Sequence, residues 1–352
     1  MNVGIGYWSM AATRLAPRHH ALLYKELVRD AVVAEFLGYD DIWVVEHHFW
    51  YDGHCNAGLV ALANLAAVTR RIGLGPSCLL LPLHDPLRVS EMAALLDRLC
   101  QGRLRLVLGL GYRDEEYDGF GIERKSRVGR LEEGIGLLRR AWAGELESGF
   151  QGKLLKYGPV QGAPALARGQ VPIVLAGFVP ATAERAARLR CGIMLGPVID
   201  AQYAGELASR FRDLASQAGF DTSGEVVGIC RDFWIDRTLR AAREKALPRL
   251  YHYYGETVAL GWKLFRDEEG RVVGPDRPTL LRQHVDAAVR AAIVGDPDSV
   301  FDELDSLRRA GFNYVQLRFR FDSLPSSEIH EAMKLFACAV MPDLKHEDER
   351  GS

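Results

Sequence analysis

Asp41-Ile42-Trp43-Val44-Val45 runs without a break into Glu46-His47-His48-Phe49-Trp50-Tyr51-Asp52. The first five residues read as a short buried strand, rich in β-branched and aromatic side chains. The next seven place an acid, two imidazoles and three aromatic rings directly after it. In a barrel of alternating strands and helices, the segments that follow the strands carry the chemistry. Histidine titrates near neutrality, so two of them beside a carboxylate can take and return protons at physiological pH. With aromatic rings around them, they describe a proton-handling pocket for a flat organic molecule.

The same rhythm extends on both sides. Strand-like runs at 3–8, 72–81, 103–108, 173–176, 192–195, 226–235 and 314–319 alternate with stretches of helical period. Such alternation marks a parallel α/β fold. Gly38 stands where the first helix needs a C-cap, and Asp85 before Pro86 fits an N-cap followed by proline at the first helical position. Eight strands in this order predict a (β/α)8 TIM barrel with insertions in its βα loops. An open doubly wound sheet would call for a G-x-G-x-x-G turn after the first strand, and Gly4-Ile5-Gly6-Tyr7-Trp8-Ser9 does not complete one. Residues 1–345 read as one barrel domain and 346–352 as a polar tail. Residues 149–172 and 255–278 leave the repeat. The first excursion is consistent with a hairpin. The second has the length of a lid or of a disordered loop.

Composition narrows the function. The chain has 352 residues, 48% hydrophobic and 26% charged, with a formal net charge of −2. That balance gives no field for nucleic acid, and no basic stripe interleaves with aromatics. The start, Met1-Asn2-Val3-Gly4, lacks a signal-peptide pattern, and no apolar run approaches the roughly 20 residues that span a bilayer. A cytoplasmic protein is expected. The six cysteines form no C-x-x-C pair, so no zinc ribbon or redox motif is indicated. Cys55, following His54 in the loop after the second strand, is the one that could be reactive.

Other strand ends carry candidate sites. His47 and His48 could bind a metal with Glu46 as third donor. Adjacent residues of a strand point in opposite directions, however, and no metal is expected. Gly75-Pro76-Ser77-Cys78-Leu79 reads either as a bulge or as a backbone surface flat enough to support a ring system. Gly109-Leu110-Gly111-Tyr112 could let the backbone approach a ligand, or simply turn tightly. Ala176-Gly177-Phe178-Val179-Pro180-Ala181-Thr182 leads a glycine turn into a helix, the arrangement that offers N–H groups to a phosphate.

Taken in order, these segments resemble the bacterial-luciferase-type flavin monooxygenase superfamily over nearly the whole chain. The resemblance rests on Glu46-His47-His48-Phe49, on Gly73-Leu74-Gly75 through Leu81-Pro82 with Pro86-Leu87-Arg88, and on Leu96-Asp97-Arg98 through Gly102-Arg103-Leu104-Arg105. The tail, Met333-Lys334-Leu335-Phe336 with Val340-Met341-Pro342-Asp343-Leu344-Lys345, is similar to the luciferase C-terminus. The resemblance implies that His47 is catalytic, with His48 and Glu116 in support. It also implies a non-prolyl cis peptide at Ser77-Cys78 behind the flavin ring, and phosphate binding by Ala176, Gly177, Phe178, Ala181 and Thr182. Gly109, Gly111 and Tyr112 would adjoin the cofactor, and Trp8, Phe49, Trp50, Tyr51, Phe178 and Trp234 would line the substrate pocket.

By the same resemblance, reduced FMN from a separate flavin reductase would meet O2 and form a C4a-(hydro)peroxide that oxygenates a small apolar or aromatic substrate. A homodimer would be usual. Luciferase, however, has a reactive cysteine and a phosphate-binding arginine where this chain has Gly109 and Leu110, and a glutamate and a serine near Gly177 and Phe178. Light emission is therefore not implied. Two alternatives follow: a hydride-transfer enzyme using the deazaflavin coenzyme, and a non-catalytic partner like the luciferase β subunit.

Overall fold

The computed structural model describes residues 1–7, 19–49, 55–162, 164–259, 265, 267, 271–322 and 324–346. Trp8, Trp50 and Tyr51, expected in the substrate pocket, lie outside the described residues, as do 347–352 of the expected tail. The strands are β1 Asn2–Tyr7, β2 Asp41–Val44, β3 Gly73–Leu79, β4 Leu106–Leu108, β5 Phe150–Gln151 and β6 Lys156–Tyr157. They continue with β7 Ile173–Gly177, β8 Gly192–Leu195, β9 Val227–Ile235, β10 Ile293–Gly295 and β11 Tyr314–Arg318.

Eight of these close a parallel barrel in the order β1-β2-β3-β4-β7-β8-β9-β11, with β11 returning to β1. The fold is a TIM barrel, as the alternation predicts. β5 and β6 form the antiparallel hairpin of the first excursion. Helices follow the strands and bury one stripe each against the wall. Their ends obey the signals in the sequence: Gly38 caps helix His20–Leu37 at φ 84°, and Asp85 accepts from the Leu87 and Arg88 amides at the start of Pro86–Leu99.

Two features were not foreseen. The helix after β9 runs from Leu239 to Ala259, so the second excursion begins as helix and not as loop. Residues 260–264, 266 and 268–270 of the expected lid lie outside the described residues. A further helix, Pro278–Arg290, then leads to β10, which pairs with the far end of β9 outside the eight-strand ring. A three-residue strand lacks a period to read, and only its neighbour reveals it.

Inside the barrel, Trp43, Val107, Val174, Met194 and Tyr314 pack together. Trp43 Nε1 donates to the Tyr314 hydroxyl at 2.7 Å, and that hydroxyl donates to Asp41 at 2.9 Å. Large rings fit only because facing positions are glycine. A Cβ on Gly75 would lie 2.4 Å from both the Trp43 ring and the Arg105 carbonyl oxygen. Gly75→Ala should therefore destabilise the fold by about 1–3 kcal/mol through overpacking. The measurement is the urea midpoint, expected to fall with an unchanged m-value.

Candidate active site

The ends of β2, β3, β4 and β7 are neighbours on one side of the barrel. Glu46, His47 and His48 leave β2, and alternation sends them two ways. Glu46 and His48 share one side: His48 Nε2 donates to Glu46 Oε1 at 2.7 Å. His84, ahead of the next helix, donates its Nε2–H to the same oxygen at 2.6 Å, and the Leu80 amide holds Glu46 Oε2 at 2.8 Å. His47 faces the other way, with Nδ1 3.2 Å from Glu116 Oε1. The same oxygen accepts the His48 amide at 3.0 Å, so Glu116 ties the two histidines together from outside the strand.

Glu116 comes from a short helix, Asp114–Gly119, directly after β4. Arg113 at its start donates to the His48 carbonyl at 2.7 Å and lies 3.4 Å from Glu116 Oε1. The Tyr112 ring stands edge-on to His47 at 5.9 Å. Glu46, His47, His48, Arg113 and Glu116 are all buried. In that setting Glu116 Oε2 has no hydrogen-bond partner, which leaves one buried acceptor to spare.

Burial alone would raise the Glu46 carboxyl. The hydrogen bonds and charges of His48 and His84 outweigh it and hold the pKa at about 2. For His84, burial opposes protonation, but Glu46 more than compensates and raises the imidazole pKa. Burial also works against ionised Glu116, and there His47, the His48 amide and Arg113 prevail and lower it. The region thus holds two carboxylates ionised at neutral pH, each fixed by imidazole.

On β3 the Ser77–Cys78 peptide is cis, the geometry the resemblance implies there. The β3–β4 register shifts between Ser77 and Leu79, so the bulge is present in the segment read as a candidate ring platform. Ser77 Oγ donates to Gln316 Oε1 at 2.8 Å. Gly109 lies against the platform, where a Cβ would come 2.4 Å from Cys78 Sγ. Burial, with the charge of Glu46 next, pushes the Cys78 thiol up to about 12, so it stays protonated. The φ of 68° at Gly111 takes the chain from this platform to Tyr112.

At the end of β7, Gly177 turns into helix Pro180–Leu189, whose N-cap Val179 supplies no side-chain acceptor. The first-turn amides, that of Ala181 among them, start a helix with no capping side chain. Thr182 packs its hydroxyl against Gly177, and the Phe178 ring covers Gly196.

Some expected residues fall elsewhere. The Phe49 ring is 62% exposed and packs on Phe120 and over Gly119. Trp234 sits against Phe321 and the Lys245 ammonium, in a groove shared with helix Ser326–Ala339, because β9 by then leaves the ring to pair with β10. Cys55 is buried with its thiol raised, mainly by burial; its contribution is a carbonyl that accepts the His47 amide at 3.0 Å. Its reactivity is thus not supported.

The sequence points to His84-Asp85 only as a possible further metal donor, and it does not mark His84 as a hydrogen-bond partner of Glu46, Arg113 as a clamp, or the buried set inside the barrel. There Arg318 Nη2 lies 2.6 Å from Asp232 Oδ1, and the Tyr254 hydroxyl donates to Asp232 Oδ2 at 2.5 Å. Nothing local in the sequence marks these partners, which stand 22 to 86 residues apart.

 Sequence separation hides them, and the closure of the barrel brings them together.

As for metals, Glu46, His48 and His84 carry donor atoms that all lie within 4.8 Å of one another. His47 is not among them, because it turns to Glu116. The 2.6 and 2.7 Å contacts are hydrogen bonds with a proton between the atoms, and a metal ion would have to displace both.

The family model for luciferase-like monooxygenases matches residues 5–314. The chain belongs to the luciferase-like monooxygenase family. The alkanal monooxygenase alpha chain of Photorhabdus luminescens is 25% identical over 338 residues, covering 91% of this chain and 92% of that one. The monooxygenase RslO1 from Streptomyces bottropensis superposes with a TM-score of 0.83 at 28% identity, over 97% of this chain and 99% of that one. The oxygenating constituent of 3,6-diketocamphane monooxygenase from Pseudomonas putida, solved with FMN, shares the fold at a TM-score of 0.79 and 18% identity, over 97% and 98%. Structures of this fold carry FMN or the deazaflavin coenzyme F420. Among the described residues, no helix is long and apolar enough to cross a membrane.

Proposed function

We propose that this protein is the oxygenase of a two-component flavin monooxygenase, taking reduced FMN from a separate reductase and using O2 to oxygenate a small apolar or aromatic molecule. The observation that carries this reading is the buried His47–Glu116 pair beside the Ser77–Cys78 platform. The residues fit a flavin on two counts. Glu116 Oε2 is a buried acceptor without a partner, and the helix after Gly177 starts without a capping side chain. The ring would rest on Ser77 and Cys78, flanked by Gly109, Gly111 and Tyr112. Its phosphate would meet Gly177, Ala181 and Thr182.

Bound reduced flavin supplies the electrons that activate oxygen. The chain positions and protects. With Nδ1 committed to Glu116, His47 would handle a proton at Nε2. Glu116 fixes the ring plane. Glu46 and His84 orient His48, and Arg113 locks the His48 carbonyl. Burial of all these groups keeps water from the reacting atoms.

A substrate panel supplied with reduced FMN by a generic flavin reductase tests the reading. Products that gain an oxygen atom, only in the presence of O2, are expected. Gly109 and Leu110 provide no cation where luciferase has its arginine, which favours hydride transfer with the deazaflavin coenzyme as the second reading. Oxygen-independent turnover with that coenzyme alone would decide for it. Activity of the isolated chain in either assay argues against a non-catalytic partner role.

A homodimer is also proposed. Val60 on helix Gly58–Val68 and Leu95 and Leu99 on helix Pro86–Leu99 are 69%, 61% and 55% exposed, on two helices that pack side by side. Exposed apolar side chains grouped in this way suit a partner surface. Leu95→Glu should shift the mass in solution, measured by light scattering, from dimer to monomer. An unshifted dimer places the interface elsewhere.

A further inference from the structure

Among the described residues, four arginines are buried: Arg113, Arg231, Arg318 and Arg320. Three of them meet a carboxylate. Arg113 lies 3.4 Å from Glu116, Arg318 2.6 Å from Asp232 and Arg320 2.8 Å from Asp30. Arg231 is 2% exposed and makes no such pair. Its Nη1 donates to the backbone carbonyls of Cys230 and Pro197, at 3.2 and 3.4 Å. A buried charge is ordinarily paired and hydrogen-bonded; this guanidinium has no carboxylate in contact, and Asp232, Asp200 and Glu303 act on it only at a distance. Burial pushes its pKa down to about 10, which still leaves it cationic at neutral pH.

Arg231 also borders a groove. Asp232, its neighbour on β9, pairs with Arg318, so alternation turns Arg231 to the opposite face of the wall. There it lines a groove of about 460 Å³ with Asp200, Tyr203, Arg290, Glu303 and Ser306. That volume is in the range of small-molecule sites. The Asp200 carboxylate is engaged in capping helix Ala201–Gln217, accepting the Tyr203 amide at 2.8 Å. Glu303 forms no ion pair with Arg231 within 4.0 Å, and burial raises its carboxyl. Arg290 adds a second cation, and Tyr203 and Ser306 add hydroxyls.

We propose that this groove binds a small oxyanion, the carboxylate or phosphate group of a metabolite, with the Arg231 guanidinium as its principal ligand. A planar fork of N–H donors matches either group in two-pronged fashion. The site lies on the outer face of the barrel wall, distinct from the His47 cluster, and does not rest on the flavin reading.

Calorimetric titration of the full chain with inorganic phosphate tests it, with acetate as competitor. Saturable binding is expected, weakened roughly 10- to 100-fold in Arg231→Met. In Thr182→Val the Arg231-dependent part of phosphate binding should persist, which separates this site from the turn after β7. Displacement of phosphate by acetate identifies a carboxylate as sufficient, and failure to displace identifies phosphate as the preferred group. Arg231→Met should also melt higher than the parent in phosphate-free buffer, since it removes an unpaired buried cation. Glu303→Gln should tighten phosphate binding by removing a nearby negative charge. Equal phosphate binding by the parent and Arg231→Met overturns the proposal. So does binding that is absent from the parent and appears only in Glu303→Gln, since Glu303 would then be the internal partner of Arg231.

Discussion

Replacing His47 with Ala should lower turnover roughly 100- to 10,000-fold, the range of general acid–base contributions, while leaving reduced-flavin binding largely intact. The separation is physical. The His47 imidazole touches Glu116 and the Tyr112 ring, whereas the proposed cofactor surface is backbone at Ser77, Cys78, Gly109 and Gly177. Removing the ring therefore takes away a proton carrier and leaves that surface in place. Glu116→Gln is the companion variant. It keeps the shape and a hydrogen bond to Nδ1 and removes only the negative charge beside the ring, so its loss should be smaller. Rapid-mixing kinetics with reduced FMN, together with flavin fluorescence titration, give the two quantities. Unchanged turnover in His47→Ala would sink the role assigned to this residue, and equal loss of binding and turnover would reassign it to cofactor retention.

Glu46→Leu should cost about 3–5 kcal/mol of stability, as expected when one partner leaves a buried ionic cluster. The change strips His48 Nε2, His84 Nε2 and the Leu80 amide of their acceptor at once. The pH dependence follows from the shifts. Glu46 is held at about 2, below the ordinary 4.5, so its contribution is present above the ordinary value and lost as pH falls toward about 2. His84 is raised above 6.5, so its contribution is complete below that value and fades as pH rises through the elevated one. The parent's advantage over Glu46→Leu should therefore be greatest between about pH 5 and pH 6.5 and shrink on either side. Urea unfolding of both proteins across this span measures it. A pH-independent difference would mean that the cluster acts through packing rather than charge.

Much of the barrel is legible in the sequence. Strand and helix periods, the glycine after Leu37 and the aspartate before Pro86 are local signals, and local geometry obeyed them. The placement of Glu46, His47 and His48 at a strand end was equally local. The elements missed were those whose existence depends on neighbours. β10 has three residues, and the helix bearing Glu116 has six, too few to show a period. Trp234, which the resemblance implies for the pocket, lies on the end of β9 that pairs with β10.

By itself the sequence determined that strands and helices alternate, where they start and stop, and that two histidines leave β2 on opposite sides. Those properties depend on backbone sterics, capping and residue period, each set within a few positions. Only the tertiary structure decided which acid each histidine meets. His47 took Glu116, 69 residues away, and His48 joined His84 on Glu46. It also decided that, among the described residues, Arg231 is buried with no carboxylate in contact while the other buried arginines meet one. Such pairings come from barrel closure, which sets distant strand ends side by side, and no local pattern encodes that distance.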